Sequence, residues 1–173
     1  MKETIQLFAD YNRKANAAML KILAPLPDDA LTRDLGTYFR SIAGTLHHAA
    51  WAEIIWLNRL SGMVRYECIE KSGLAAITDD ELKGMTGANC RALFPLKEKL
   101  DDLYVAIAAE TKVRDTGKRF RYTNIFGKEM EKTFGHMLLH VFNHGTHHRG
   151  AISAMLDILK IDNDYSGLTL YTD

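Results

Sequence analysis

Histidine is the residue whose placement in this chain asks for a chemical explanation. Five of the seven histidines fall within "HMLLHVFNHGTHH", residues 136–148, and the other two, His47 and His48, stand side by side in "TLHHAAW". A neutral imidazole is a common ligand for transition metals, and two at i and i+4 of a helix share a face and can converge on one ion. With side chains advancing about 100° per residue and His144 set at the origin, His148 falls at about 40°. Met137 and Met155 fall at about 20°, and Val141 and Leu159 at about 60°. His144 and His148 therefore lie in the middle of the apolar stripe and are expected to point inward. His140 and His147 fall on its edge and His136 lies further out, because each step of four residues overshoots a full turn by about 40°. His136 is expected to be exposed. Gly145 and Gly150 cost roughly 1 kcal/mol each against alanine in a helix interior. Gly145 is expected to let a neighbouring backbone approach beside His144.

Two ligands are too few for a tight site, and three protein ligands with one open position is the common reactive pattern. The "HH" pair can supply the third. Phe39, Ile42, Leu46, Ala50, Leu57 and Leu60 form the main stripe of the helix that carries the pair. His47 lies near one edge of that stripe, while His48 shares a different side with Trp51 and Ile55. Periodicity does not choose between them. Glu53 falls in the middle of the stripe, where a carboxylate needs a partner. His140, His147 and Arg149 are the expected donors. Arg149 reads first as a salt-bridged or solvated residue, and Met137 and Met155 as core filler.

Four helical segments are needed to position these groups. The first spans roughly residues 3–24 and stops at "APLPDD"; the second runs from about Tyr38 to Leu60, ahead of Gly62. "GMVRYECIEKSG" reads as a connection. A third segment begins after "TDDE" and continues through "RALFPLKEKLDDLYVAIAAE", starting or kinking near Pro95. In "KRFRYTNIFGKEMEK", residues 118–132, aromatic and basic residues alternate around the turn "NIFG", which predicts a short β-hairpin. Thr133 is then placed to cap a fourth helix running to about Lys160, followed by a polar tail. The pattern predicts an all-α fold, a four-helix bundle with one hairpin before its last helix, built as one domain over residues 1–173.

Composition narrows the functional classes. Apolar residues make up 47% and charged residues 25%, and the 22 basic side chains balance 22 acidic ones. With no net field, non-specific nucleic-acid binding is disfavoured. No run of apolar residues is long enough to cross a membrane and the N-terminal stretch lacks a signal-peptide core, so a cytoplasmic protein is expected. Cys68 and Cys90 are far apart with no CxxC pattern, as expected of reduced structural thiols.

The stretch "LLHVFNHGTHHRGAI" resembles the signature of the DinB-like proteins, the damage-inducible, bacillithiol-transferase-like superfamily of metal-binding four-helix bundles. "ADYNRKANAAMLKILAPL" resembles that family's first helix, "SIAGTLHHAAWAEIIWLNRLSG" its second, and "FRYTNIFGKEMEKTFGHMLLH" its hairpin and the start of its last helix. Residues 62–115 are the least diagnostic part. The resemblance implies one divalent transition metal, nickel or zinc or else iron, held by three histidines. Matched by position these are His48, His144 and His148, with His47 where the family carries asparagine. Glu53 stands where aspartate is common and Ala151 where glutamine is common. Several relatives use such an ion to activate a low-molecular-weight thiol for attack on an electrophilic substrate. In that reading Glu53 or His147 moves protons or orients the ligands, and Arg149 meets a carboxylate of the thiol. A homodimer is expected on the same analogy. A metal-dependent hydrolase is the second enzymatic reading, although "HGTHH" lacks the glutamate of HExxH. A non-catalytic metal-binding stress-response protein is the third, and it predicts no accessible pocket beside the ion.

Overall fold

Residues three and four apart build the inward face of the first helix, α1 (Lys2–Leu23), where Ile5, Ala9, Ala15, Met19 and Leu23 are each no more than 2% exposed. In the computed structural model, which describes residues 1–171 and the side chains of all of these except 86–88, a short α2 (Asp28–Thr32) follows. Next come α3 (Ile42–Ser61), α4 (Glu67–Ser72), α5 (Asp79–Ala88), α6 (Leu93–Glu110) and a single turn, α7 (Val113–Thr116). An antiparallel hairpin, β1 (Arg119–Thr123) and β2 (Glu129–Thr133), leads directly into α8 (Phe134–Ile158). The four long helices close a ring in which α1 and α3 each pack against both α6 and α8. Leu57, Leu100, Ile107, Phe134, Leu138 and Met155, all fully buried, fill its centre. The all-α bundle with a hairpin before its last helix is thus the observed architecture. Among the described residues, no helix is long and apolar enough to cross a membrane.

The boundaries depart from the sequence expectation in ways that matter for the site. The second long helix begins at Ile42, not at Tyr38. Ser41, in an extended conformation, caps it by accepting a hydrogen bond from the Gly44 N–H at 3.0 Å. Residues 37–40 instead fold into a tight turn with Arg40 at φ 67°. This brings the Phe39 carbonyl so close to Gly44 that a Cβ there would lie 2.2 Å from its oxygen. Phe39 is therefore held over the first turns of α3 rather than lying within the helix.

The third predicted segment is two helices. Thr78 and Glu81 form a capping box that starts α5, and Asn89, at φ −166°, breaks the run. Pro95 then sits in the first turn of α6, where its missing N–H removes no helical bond. The connection after Gly62 also contains α4, whose Glu67 and Cys68 N–H groups donate to the Glu110 carboxylate at 3.0 and 3.1 Å.

In the hairpin, Phe120 and Tyr122 face the bundle while Arg119, Arg121 and Thr123 face outward, the alternation of a sheet with one covered face. Asn124 organises the turn by accepting the N–H groups of Phe126 and Lys128, and Gly127 takes the left-handed conformation that the turn requires. Thr133 does not cap α8 with its side chain, contrary to expectation, because it ends β2. The Phe134 N–H donates instead to the Lys118 carbonyl at 2.8 Å. The polar "tail" is also packed. Tyr165 is 1% exposed with its hydroxyl on the Arg149 carbonyl, and Tyr11 bonds the Ser166 carbonyl at 2.6 Å. The last two residues of that predicted tail, Thr172 and Asp173, lie outside the described residues.

Candidate metal centre

The helical drift of the histidines appears in three dimensions as a graded exposure along α8. His136, His140 and His147 are exposed, His144 is half-buried, and His148 is 4% exposed. His148 and His144 bring their Nε2 atoms to 3.0 Å of one another. From α3, His48 turns toward them, its ring centroid 4.8 Å from that of His148 and 5.4 Å from that of His144. One ligand-capable atom from each of the three lies within 4.8 Å of the others. His47, which periodicity did not separate from its neighbour, points elsewhere, with Nε2 3.7 Å from the Asp79 carboxylate. Phe39 stacks on His48 at 4.0 Å and meets the edge of His148 at 5.6 Å, so the turn before α3 fixes two of the three rings.

Electrostatics keep this cluster neutral and ready to donate lone pairs. Burial, helped by the adjacent imidazoles, holds His144 at about 4 and His148 at about 3, and it also lowers His48. All three are then unprotonated near neutral pH, the form that binds metal. The Nδ1 of His148 is buried with no hydrogen-bond partner in the protein. An imidazole pair facing Nε2 to Nε2, with no fourth protein ligand among the described residues, fits a cation held between rings better than a satisfied core contact. The nitrogen spacing is compatible: around a tetrahedral zinc at about 2.0–2.1 Å, such atoms sit roughly 3.3 Å apart. Three imidazoles suit nickel, zinc or iron(II). These three histidines could therefore hold a divalent ion and leave at least one of its positions open.

An open cleft of about 550 Å³ lies beside the cluster, with His48 and His144 on its wall. Trp51, Ile55, Trp56 and Arg59 extend along one face of α3; Tyr122, Ile125 and Phe126 come from the hairpin, and His140 from α8. Among the described residues, no carboxylate and no cysteine lines it. The cleft residues of α3 were foreshadowed by the second face on which His48 was grouped with Trp51 and Ile55. That face continues to Arg59, which sequence reasoning did not single out. Phe39 was also missed, because it was counted within the helix; the Ser41-x-x-Gly44 pattern was the available signal.

Two expected participants lie elsewhere. Glu53 is 6% exposed, and its carboxylate pairs with Lys97 of α6 at 3.1 Å, not with His140, His147 or Arg149. Lys97 also bonds Asp101 at 2.5 Å, and Asp101 accepts from Asn16 of α1. Burial pushes Glu53 up to about 7 against the pull of Lys97. Arg149, 2% exposed, gives its guanidinium to Asn12, Asn16 and Thr146 and lies over the Tyr11 ring, so it is not presented to the cleft. These groups form a buried polar girdle joining α1, α3, α6 and α8. Gly145 belongs to it as well: a Cβ there would lie 2.8 Å from Asn12 Oδ1, so its neighbour is a side chain and not the expected backbone. His147 stays exposed, its ring 4.9 Å from that of His148 and off the cleft wall.

A helical bundle whose second and last long helices offer three histidines to one point, beside a hairpin-walled cleft, defines a class that sequence comparison identifies. The chain matches the DinB family over residues 1–159 and belongs to it. It is similar to Protein DinB of Bacillus subtilis (strain 168), with 27% identity over 148 residues, which is 85% of this chain and 81% of that protein. No solved structure matches the chain.

Proposed function

We propose that this DinB-family protein is a divalent-metal-dependent transferase that activates a low-molecular-weight thiol for attack on an electrophile. The observation that carries the reading is the pairing of three neutral histidines with an open cleft of about 550 Å³ that two of them line. A purely structural ion would be closed off by its ligands. When bound, the ion would stabilise the anion of a thiol near neutral pH, as cations do for coordinated sulfur.

The chain's own thiols are poor nucleophiles. Burial pushes Cys68 up to about 12 and also raises Cys90, so both stay protonated, and neither lines the cleft. The nucleophile is therefore expected to arrive as a second small molecule. Trp51, Trp56 and Ile55 offer an apolar seat for the electrophile. His140 is the cleft imidazole that is not a candidate ligand. Partial desolvation of its ring against the cleft wall and the Arg59 charge lower its pKa and favour the neutral form, so a ring nitrogen can accept the thiol proton. In an addition to an activated double bond, sulfur bonds one carbon and that proton returns to the other, which balances the step. A metal hydrolase is less well supported, because among the described residues no carboxylate on the cleft wall stands ready as a base for water.

Elemental analysis of purified protein should show about one transition ion per chain, lost in His144→Ala. Thiol consumption with a generic electrophile, measured on stripped and reloaded protein across several thiols, then tests the chemistry. Full metal content in His144→Ala refutes the ligand set. Metal binding with no metal-dependent thiol consumption refutes the transferase and leaves a binding protein.

A further inference from the structure

Arg59 combines partial burial on a cleft wall with a guanidinium that no carboxylate satisfies among the described residues. Most surface arginines satisfy their charge with carboxylates: Arg13 with Asp10, Arg65 with Glu70, and Arg119 and Arg121 both with Glu131 of the same hairpin. Arg149 is buried, and both of its terminal nitrogens donate to side-chain oxygens, those of Asn12, Asn16 and Thr146. Arg59 is half-buried on the wall of the cleft, and among the described residues no carboxylate pairs with it. Its Nη2 donates to the Thr123 carbonyl at 3.3 Å. The guanidinium carbon lies 4.9 Å from the Trp56 ring centre and 5.0 Å from that of Tyr122, and the two rings are themselves 5.4 Å apart. The rings hold the side chain in place and leave most of its five N–H donors unused. A partly desolvated, positioned and unpaired guanidinium beside apolar rings suits a carboxylate, which it can grip through two parallel bonds. One cation matches one monoanion; a phosphate dianion would want a second.

We propose that Arg59 is the anion anchor of the cleft, binding the carboxylate of a small molecule whose apolar, flat body lies along Trp51, Trp56 and Tyr122. Arg59 follows His48 by eleven residues, so the two are three turns apart on one face of α3, a rise of about 16 Å. The ligand thus places its carboxylate at the far end of the cleft from the histidines and its other end toward them. Either reactant of the proposed transfer can carry such a group, the thiol or the electrophile. The inference rests on the cleft being the substrate chamber of that reading, but its test does not need the metal.

The chain has two tryptophans and both line the cleft, so intrinsic fluorescence reports its occupancy. Metal-free protein is titrated with hydrocinnamate, with the neutral hydrocinnamide and with glutathione. Wild type should bind hydrocinnamate about tenfold or more tighter than the amide. Arg59→Met should abolish that preference while leaving amide binding unchanged, and Arg59→Lys, which keeps the charge and loses the fork, should fall between. Arg59-dependent binding of glutathione assigns the carboxylate to the thiol; Arg59-dependent binding of hydrocinnamate alone assigns it to the electrophile. Equal affinity of wild type for acid and amide overturns the proposal and needs no variant. A preference that survives Arg59→Met in protein with wild-type circular dichroism overturns it too. Carboxylate binding without any thiol consumption would refute the transferase and leave Arg59 as an anion site. Thiol consumption without carboxylate preference would do the reverse.

Discussion

Lys97→Met is the sharpest test of the buried girdle. Lys97 is 3% exposed, with its ammonium 3.1 Å from Glu53 and 2.5 Å from Asp101. Methionine keeps most of the apolar stem and removes the ammonium that touches both carboxylates, while Asn16 still donates to Asp101. Taking one partner from a buried ionic cluster costs roughly 3–5 kcal/mol, because the surviving charges are left without compensation. For a chain of this size that corresponds to a fall in Tm of about 6–20 °C. The pH dependence has a definite sign. Lys97 is the largest influence lowering both carboxyls against burial, and even so Glu53 stands at about 7. Without it both rise further above their unfolded values of 4.5 and 3.8. A carboxyl raised in the folded state contributes stability below its unfolded pKa and loses that contribution as pH rises toward its folded value. The deficit of the variant should therefore grow with pH. Urea unfolding followed by circular dichroism over a pH series measures it, and Glu53→Gln in the Lys97→Met background should recover part of the loss. A deficit under about 1 kcal/mol at neutral pH, or one that shrinks as pH rises, would refute the reasoning.

Two further changes separate crowding from conformational cost. Gly145→Ala would drive a Cβ against Asn12 Oδ1 and disturb its bond to Arg149, so a loss of about 1–3 kcal/mol in unfolding free energy is expected despite better helix propensity. Gly150→Ala meets nothing within 4 Å and is expected to stabilise by about 0.4–1 kcal/mol. Serine at both Ile125 and Phe126, which are 73% and 86% exposed, should leave thermal stability within about 0.5 kcal/mol of wild type while changing the fluorescence-detected affinity of cleft ligands.

Much of the centre was legible because it is local. The angular drift of His136, His140, His144 and His148 is arithmetic on one helix, and the structure orders their burial as that arithmetic does. The hairpin announced itself by alternation and by its turn residues. What was hidden depends on groups far apart in sequence. The need of Glu53 for a partner was evident, but the partner stands on α6, and a helical wheel carries no information about which helix faces which. His47 and His48 differ by one residue on a helix covered on several sides, so apolar pattern alone weighed them equally; family resemblance pointed to His48, and the structure turns His48 toward α8 and His47 toward Asp79. Asn89 and Ser41 are one-residue boundary signals inside otherwise helical composition, and extending the periodic pattern across each overran the true ends.

The hairpin closes the cleft with residues that contribute little to the core. Its strands tie Phe120 and Tyr122 to the bundle, while the turn from Asn124 to Lys128 is held by its own backbone and the Asn124 side chain. Ile125 and Phe126 can therefore vary without disturbing the helices that carry the histidines. Under the proposed function, reactivity and selectivity would be inherited on separate parts of the chain, so descendants could change what enters the cleft and leave the three histidines as they were.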